Sequence, residues 1–352
     1  MVRSRWLGLR AELFDWAGMC AKLPATRKGL RCRADARLLQ AHGDAGLVAA
    51  EHYIAPLGLN AWNTRMVARG LDHIVHAVRD LDAAAALYER LGFVVGVRNR
   101  HPWGTHNRVV QLPGFFVELL TVAEPDKLGG DGIPRLFGAH NRDFLARHEG
   151  FSGLLMQSRD AAADAAAFRD AGIAASEALR FEREGRRPDG TPIRLGFSLA
   201  FARDPAGAEA AFAACQHHFP ENFWNAAFQA HHNGATGVAG VVMVAENPTD
   251  HHIFLSALTG ERELLATSSG VTVQTPHGAI QVMEPSAYAR HFGVAPPDLA
   301  RGAQLAALIV TVRDRAHVAA LLGQAGIAAS TRMERIVVGP HDAMGATLVF
   351  ER

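Results

Sequence analysis

The chain has 352 residues, with 36 basic and 35 acidic side chains and a formal net charge of +1. Such a balance gives no reason to expect nucleic acid or an anionic membrane surface as a partner, and no apolar run is long enough to predict a membrane-spanning helix. Three cysteines are too few for a disulfide framework, which favours a cytoplasmic protein.

The first segment, residues 1–68, differs from the rest of the chain. It shows no sustained hydrophobic periodicity, and charged residues at Arg10, Glu12 and Asp15 interrupt its apolar stretch, which argues against a signal peptide. Met66 stands just before the first clear strand pattern, GLDHIVHAV. We therefore expect residues 1–68 to be an extension that is either disordered or not part of the native protein.

An internal repeat organises everything that follows. The segment VRDLDAAAALYERLGF at 78–93 matches SRDAAADAAAFRDAGI at 158–173 and VRDRAHVAALLGQAGI at 312–327. The same interval separates Asp80 from Gly92, Asp160 from Gly172, and Asp314 from Gly326. A more divergent copy, VAENPTDHHIFLSALTG, has Asn247-Pro248 in place of the aspartate and Gly260 in place of the glycine.

Each copy predicts a strand, a helix and further strands. The aspartate is a favourable helix N-cap because its side chain accepts amide hydrogens of the first turn, and the glycine ends the helix with a positive φ. Apolar residues at helical spacing, such as Ala84, Leu87 and Leu91, predict the helix between them. Strand-like runs such as NRVVQLPGFFVELLTV follow. The fold class is therefore predicted to be α+β, built from four βαβββ modules.

One such module cannot bury both faces of a small curled sheet, so we expect the modules to pair. Two pairs would form two open curled β-barrels with the helices outside. We expect the first domain at residues 69–233 and the second at 234–352, because the turn-rich stretch HHNGATG lies at 231–237. Modules can also pair between chains, which leaves a homodimer open.

The repeated βαβββ unit, with LDHIVHAVRDLDAA, YERLGF, the GTHN stretch at 104–107 and the VELL strand, resembles the vicinal oxygen chelate superfamily and its glyoxalase-like domain proteins. The resemblance covers roughly residues 70–352 and is strongest over 70–120. It implies that paired modules form a barrel around a divalent metal, which holds neighbouring oxygens of a small-molecule substrate. It also implies that the ligands come from the first and last strands of the modules.

In the first module, this resemblance places His73 and Glu118 at ligand positions. In the second module, Gly153 stands at the first-strand position and has no donor side chain. The last strand of that module, AAFAACQHHF, offers either Gln216 or His217, because alternation lets only one of them face the barrel. Imidazole is the stronger ligand, which favours His217.

The set His73, Glu118 and His217 is a two-histidine, one-carboxylate triad that suits Fe(II) and tolerates Mn(II), Zn(II) or Ni(II). Glu118 interrupts an apolar run, and a buried unpaired carboxylate is costly. Its alternative is an outward-facing glutamate paired with an arginine. The adjoining Cys215 is either a soft ligand or, more commonly, a small buried hydrophobe.

The other stretches have weaker signals. In the third and fourth modules, Val282 and Val349 match the place of Glu118, so we predict that this pair is structural or shapes the substrate site.

The hairpin RHPWGTHNRVV is explained by turn chemistry, or it lies at the barrel mouth with His106 as a proton-transferring base and Asn107 as a substrate-binding residue. The polar stretch EREGRRPDGTPIR at 182–194 is a solvated hairpin loop, or it supplies Arg183, Arg186 or Arg187 to bind a substrate carboxylate or phosphate.

Three functions therefore stay open. The first is a glyoxalase-like metal-dependent enzyme of the isomerase or lyase type, in which the ion polarises a substrate oxygen. The second is a non-haem Fe(II) extradiol dioxygenase, although in that family the triad lies in the later pair of modules. The third is a small-molecule-binding protein of the same fold without catalysis.

Overall fold

The computed structural model describes residues 67–186 and 190–352, so nearly all of the predicted N-terminal extension lies outside the described residues. In the described part of the chain, no helix has the length and hydropathy needed to cross a membrane.

The first two modules follow the predicted order of elements. The first comprises β1 (Leu71–Ala77), α1 (Leu81–Arg90), β2 (Asn99–Arg100), β3 (Thr105–Leu112) and β4 (Phe115–Val122). A connector with a 3-10 turn (Pro125–Lys127), a π-helical turn (Pro134–Ala139) and α2 (His140–Leu145) leads to the second. The second comprises β5 (Gly150–Ser158), α3 (Ala161–Asp170), β6 (Leu179–Arg186), β7 (Pro192–Ala202) and β8 (Ala211–His217).

The last two modules repeat that order after α4 (Pro220–Phe223) and a 3-10 turn (Ala226–Gln229). The third comprises β9 (Ala235–Val244), a 3-10 turn (Pro248–His251), α5 (His252–Thr259), β10 (Leu264–Thr267), β11 (Gly270–Gln274) and β12 (Ala279–Met283). After α6 (Pro285–Phe292), the fourth comprises β13 (Gln304–Val312), α7 (Arg315–Gln324), β14 (Ser330–Arg332), β15 (Arg335–Val338) and β16 (Thr347–Glu351).

The predicted helix ends are confirmed. Asp80 Oδ1 accepts hydrogen bonds from the amides of Asp82 and Ala83, both at 3.0 Å, and Gly92 follows α1 with a φ of 84°. In the divergent third copy, the Asn247 side chain caps no amide, and a 3-10 turn that begins at Pro248 leads into α5. The local signals of the repeat therefore fix where its helices begin and end.

Strand pairing follows one rule in every module: the first strand pairs in parallel with the last. The first strands of neighbouring modules then pair antiparallel, β1 with β5 and β9 with β13. Two eight-stranded sheets result, β2-β3-β4-β1-β5-β8-β7-β6 and β10-β11-β12-β9-β13-β16-β15-β14. We call them the first and second barrel. The predicted architecture of four modules paired into two open curled barrels is confirmed.

The two barrels are joined by one further pairing. Leu305 of β13 pairs with Phe151 of β5, which makes one continuous 16-stranded sheet. A loop precedes β9 near residue 233, and a domain boundary there stays a prediction. Independent folding of each half stays a prediction.

The buried apolar residues form separate cores on the convex and concave faces of the barrels. The convex faces and the four module helices share one core, which includes Tyr88, Phe168, Leu255 and Leu322. Each concave face has a core of its own. The helices of the modules thus lie outside, as predicted. The exception is α6, which packs on the concave face of the second barrel because its apolar Tyr288 and Phe292 fill it.

Candidate functional site

The concave face of the first barrel surrounds a cavity of about 50 Å³. Its walls are mostly apolar, and alternation along the strands turns a few polar groups into it. The polar and ionisable side chains that line it are His73, His101, Asn107, Glu118, Arg183 and Cys215. A space of this size holds a few waters or a small ligand.

Glu118 is a buried carboxylate at the wall of this cavity, only 4% exposed. Its Oε1 accepts a hydrogen bond from Asn107 Nδ2 at 2.5 Å. The Nε2 atoms of His73 and His101 lie 3.9 and 3.8 Å from its two oxygens. Burial raises the pKa of Glu118, and the neighbouring His73 and Asn107 only partly oppose this effect. The alternative of an outward glutamate paired with an arginine is therefore wrong.

The two imidazoles beside Glu118 are held by their other nitrogens. His73 Nδ1 lies 2.6 Å from Asp72 Oδ2, and His101 Nδ1 lies 2.8 Å from Thr105 Oγ1. A carboxylate only accepts, so Nδ1 of His73 carries the hydrogen, and Nε2 faces Glu118. Burial lowers the pKa of His101 to about 3, so this ring is neutral near pH 7.

A second group of donors lies next to the first. Asp72, Cys215 and His217 each offer one ligand atom, and these atoms all lie within 4.8 Å of one another. His217 Nε2 is 3.1 Å from Asp72 Oδ1. Burial alone would raise the pKa of Asp72, but the adjacent His217 and His73 outweigh it and hold that pKa below its usual range. Burial raises the pKa of the Cys215 thiol.

This second group fits a divalent cation. Carboxylate, imidazole and thiolate are the usual ligands of Zn(II) and Fe(II). Ligands that share one such ion at about 2.0–2.3 Å lie roughly 3–4 Å apart, which agrees with the spacing of the group. His217 has one nitrogen beside Asp72, and its other, Nδ1, is buried with no hydrogen-bond partner among the described residues.

The structure does not bring the three predicted ligands to one point. His217 faces the barrel interior, whereas Gln216 points outward and accepts a hydrogen bond from the amide of Ala161. His73 and Glu118, however, do not belong to the compact set of described donors. A shared ion on His73, Glu118 and His217 therefore stays a prediction, and the compact donor set among the described residues is a different one.

The reason is the strand register. Glu118 pairs with Val75 across the first module, and the matching pair in the second module is Leu155 with Ala213. His217 lies further along β8, and so comes to rest beside Asp72 instead of Glu118. The counterparts of the two ligand positions, Gly153 and Ala213, carry no donor.

His106, predicted as a base, does not line the cavity. It alternates with Asn107 on β3 and points to the other face, where its Nε2 lies 3.1 Å from Glu124 Oε1. Asn107 does line the cavity, but its amide is engaged with Glu118 and with Asn99 Nδ2 at 3.1 Å. Proton transfer by His106 and substrate binding by Asn107 both stay predictions, although the position of His106 away from the cavity does not favour the first.

In the second barrel, the prediction that Val282 matches the place of Glu118 is wrong. Register pairs Val242 with Gln281, so Gln281 and not Val282 takes the matching position in the third module. In the fourth module Ile309 pairs with Val349, as expected. Within residues 67–186 and 190–352, the second barrel holds no metal-binding set of three donors.

Asp72 is a candidate site residue that sequence reasoning missed. Simple alternation puts it on the opposite face from His73. The pairing of β1 with β5 shifts between Leu71 and His73, which is a bulge and lets both side chains face the site. The signal in the sequence was a carboxylate directly before a histidine at the start of an apolar strand.

Comparisons with known proteins were made for the sequence and for the fold. No curated protein sequence matches the chain significantly. A hypothetical protein from Staphylococcus aureus shares the fold, with 12% identity, a TM-score of 0.57, and coverage of 80% of this chain and 99% of that one.

Two further solved structures are more distant. A mutant 4-hydroxymandelate synthase from Streptomyces coelicolor has 13% identity and a TM-score of 0.48, and the match covers 81% of this chain and 93% of that one. A xylose isomerase-like TIM barrel/4-hydroxyphenylpyruvate dioxygenase fusion protein has 9% identity and a TM-score of 0.46, with coverage of 81% and 50%.

The sequence model of the glyoxalase-like domain matches residues 71–259, which is more than half of the chain and contains the whole of the first barrel. The chain therefore belongs to the glyoxalase-like domain family, within the vicinal oxygen chelate superfamily.

Proposed function

We propose that this protein is a metal-dependent glyoxalase-like enzyme that acts on neighbouring oxygens of a small organic substrate, in a reaction of the isomerase or lyase type. One observation carries the proposal. The first barrel lines its cavity with one carboxylate, two imidazoles and a thiol, and Asp72 and His217 adjoin that thiol; an apolar interior keeps such groups only at a high cost unless they serve a site.

The cation would be held by Asp72, Cys215 and His217. When bound, such an ion acts as a Lewis acid toward a substrate oxygen. A thiolate in the donor set favours Zn(II) or Fe(II) over Mn(II). His73 fixes one side of Asp72 through its Nδ1, which orients the carboxylate toward His217.

We propose Glu118, and not His106, as the base. It lines the cavity, and Asn107 holds one of its oxygens in place. A carboxylate whose pKa is raised by burial accepts a proton more readily near neutral pH than an exposed one. His73 Nε2 lies 3.9 Å from the other oxygen of Glu118.

The test is elemental analysis of the purified full chain. We expect about one divalent ion per wild-type chain, loss of most of it in Asp72→Ala, and retention of it in Glu118→Gln. Asp204→Asn is the matched control, because Asp204 is also a buried aspartate bonded to a histidine, His251, at 2.5 Å, but outside this site.

The outcomes decide between the functions. If wild type binds no ion, even after incubation with Zn(II) or Fe(II), the enzymatic proposal fails and a non-catalytic binding protein is left. If the Asp204→Asn control loses the ion as well, the assignment of Asp72 fails. The dioxygenase alternative is tested on the same protein, loaded anaerobically with Fe(II) and then given a catechol and oxygen.

A further inference from the structure

Arg183 places a positive charge at the wall of the first barrel's cavity. Its side chain lines this cavity together with Glu118, and it also lines an adjoining cavity of about 90 Å³. Its neighbours in β6, Arg180 and Glu182, pair with each other through Glu182 Oε1, and Arg180 is exposed. Arg183 alone in this trio is therefore available to a molecule inside the barrel.

This guanidinium has no carboxylate partner. Within the described ranges, no carboxylate oxygen lies within 4.0 Å of Arg183. Its Nη1 donates to Asn99 Oδ1 at 3.0 Å, while its Nε is buried without any hydrogen-bond partner. Arginine stays protonated in proteins, and Arg183 is half-buried, so water hydrates its charge only in part. An anion beside it would therefore be favourable.

Two amide side chains keep Arg183 from pairing with Glu118. Arg183 donates to Asn99, Asn99 Nδ2 donates to Asn107 Oδ1 at 3.1 Å, and Asn107 Nδ2 donates to Glu118. This row of hydrogen bonds holds a carboxylate and a guanidinium in one cavity without direct contact. Both charges consequently stay available to a bound molecule.

A second unpaired donor lines the same cavity. The indole Nε1 of Trp103 is buried and has no hydrogen-bond partner among the described residues. Its ring packs edge to face on Phe181, which is two residues from Arg183 on the same face of β6, with centroids 4.9 Å apart. Indole and guanidinium nitrogens only donate, so the group that satisfies both must be an acceptor.

We propose that the first barrel binds a small organic monocarboxylate, with its carboxylate on Arg183 and Trp103 and its hydrocarbon part against the apolar wall formed by Phe181, Phe197 and Leu199. A planar carboxylate suits the guanidinium fork. The small volume and the single cation favour it over a phosphate. This substrate class deepens the proposed function and rests on it for the chemistry, but the binding itself needs no metal.

The test uses metal-free full-length protein and isothermal titration calorimetry at constant ionic strength. The probes are acetate, butyrate and benzoate, each paired with its primary amide of nearly the same shape, and inorganic phosphate. The variants are Arg183→Met and Trp103→Phe, which keeps the ring and removes the donor. Arg180→Met is the matched control, because it removes the same charge from the same strand.

We expect at least one carboxylate to bind about tenfold or more tightly than its amide, and to bind more tightly than phosphate. Arg183→Met should abolish this preference, Trp103→Phe should weaken it severalfold, and Arg180→Met should leave it unchanged. The proposal is overturned if no carboxylate exceeds its amide, if phosphate binds best, or if Arg183→Met keeps the preference.

The result is separable from the metal test. A carboxylate preference that depends on Arg183, in a protein that takes up no cation, supports the anion site and refutes the enzymatic proposal. A protein that binds its cation through Asp72 but shows no carboxylate preference refutes the anion site alone.

Discussion

The two barrels share one plan of modules and one strand register, yet their interiors are opposite. The first encloses a cavity with ionisable groups, and the second is filled by α6 and aliphatic side chains. Matching positions show how few residues make the difference. Register places Glu118 of the first barrel where the second has Gln281 and Val349. A duplicated framework thus leaves its concave positions free to serve either packing or chemistry.

We expect the largest effect on stability from a carboxylate introduced into the second barrel, at a position that matches Glu118 of the first. Val349 is fully buried between Ile309 and the residues of α6. We expect Val349→Glu to lower the free energy of unfolding by roughly 3–5 kcal/mol, because the new carboxylate has no partner there. Urea denaturation measures this loss, with Val349→Leu as an apolar control. A loss below about 1 kcal/mol would show that the second barrel tolerates a site as readily as the first.

The next effect concerns His76, which lies between the barrels. Its two ring nitrogens lie 2.9 Å from Tyr88 Oη and from the carbonyl oxygen of Met344 in the fourth module. Burial lowers the pKa of His76 from 6.5 to about 4. The unfolded chain therefore binds the proton first, so stability is complete above pH 6.5 and falls as the pH drops toward 4.

We expect this ring to account for roughly 3 kcal/mol of the stability lost over that pH range. Denaturation curves at pH 7 and pH 4.5 measure it. His76→Gln should be less stable than wild type at pH 7 but should show a flatter decline, and His252→Gln, on an exposed helix surface, serves as the control. An equally steep decline in His76→Gln would assign the pH dependence to other groups.

The smallest expected effect is a gain in stability, and it concerns Glu118 in the first barrel. Because burial raises the pKa of Glu118, its ionised form destabilises the fold near pH 7, and the penalty is relieved as the pH falls. Glu118→Gln keeps an oxygen for Asn107 and removes the charge, so we expect it to stabilise the metal-free protein by about 1 kcal/mol at pH 7. The gain should shrink as the pH falls from 7 toward 4.5. A destabilised variant would mean that the carboxylate contributes to folding and not only to the site.

Much of the fold follows from local sequence signals. Aspartates such as Asp80 cap the helices of the repeat, and glycines such as Gly92 end them. These signals, like the apolar run that Glu118 interrupts, are short-range patterns with a direct physical cause. The pairing of modules also follows, since a single curled sheet leaves an apolar face exposed.

The composition of the site could not be predicted in the same way, because it depends on register between strands that are distant in the chain. Where β8 lies along β5 decides that His217 meets Asp72 and not Glu118. A bulge in β1 decides which way Asp72 points. The packing of α6 on the concave face of the second barrel depends on space that the strands of that barrel leave.

The hydrogen bond from Arg183 to Asn99 spans the open side of the first barrel. The strands that carry these residues, β6 and β2, are the two edges of its sheet and share no backbone ladder. Parting them there breaks a side-chain contact with a net worth of roughly 1–3 kcal/mol, whereas parting two ladder strands breaks several backbone bonds at once. Among the described residues, the two edge strands of the first barrel are thus joined by side-chain contacts and not by a backbone ladder.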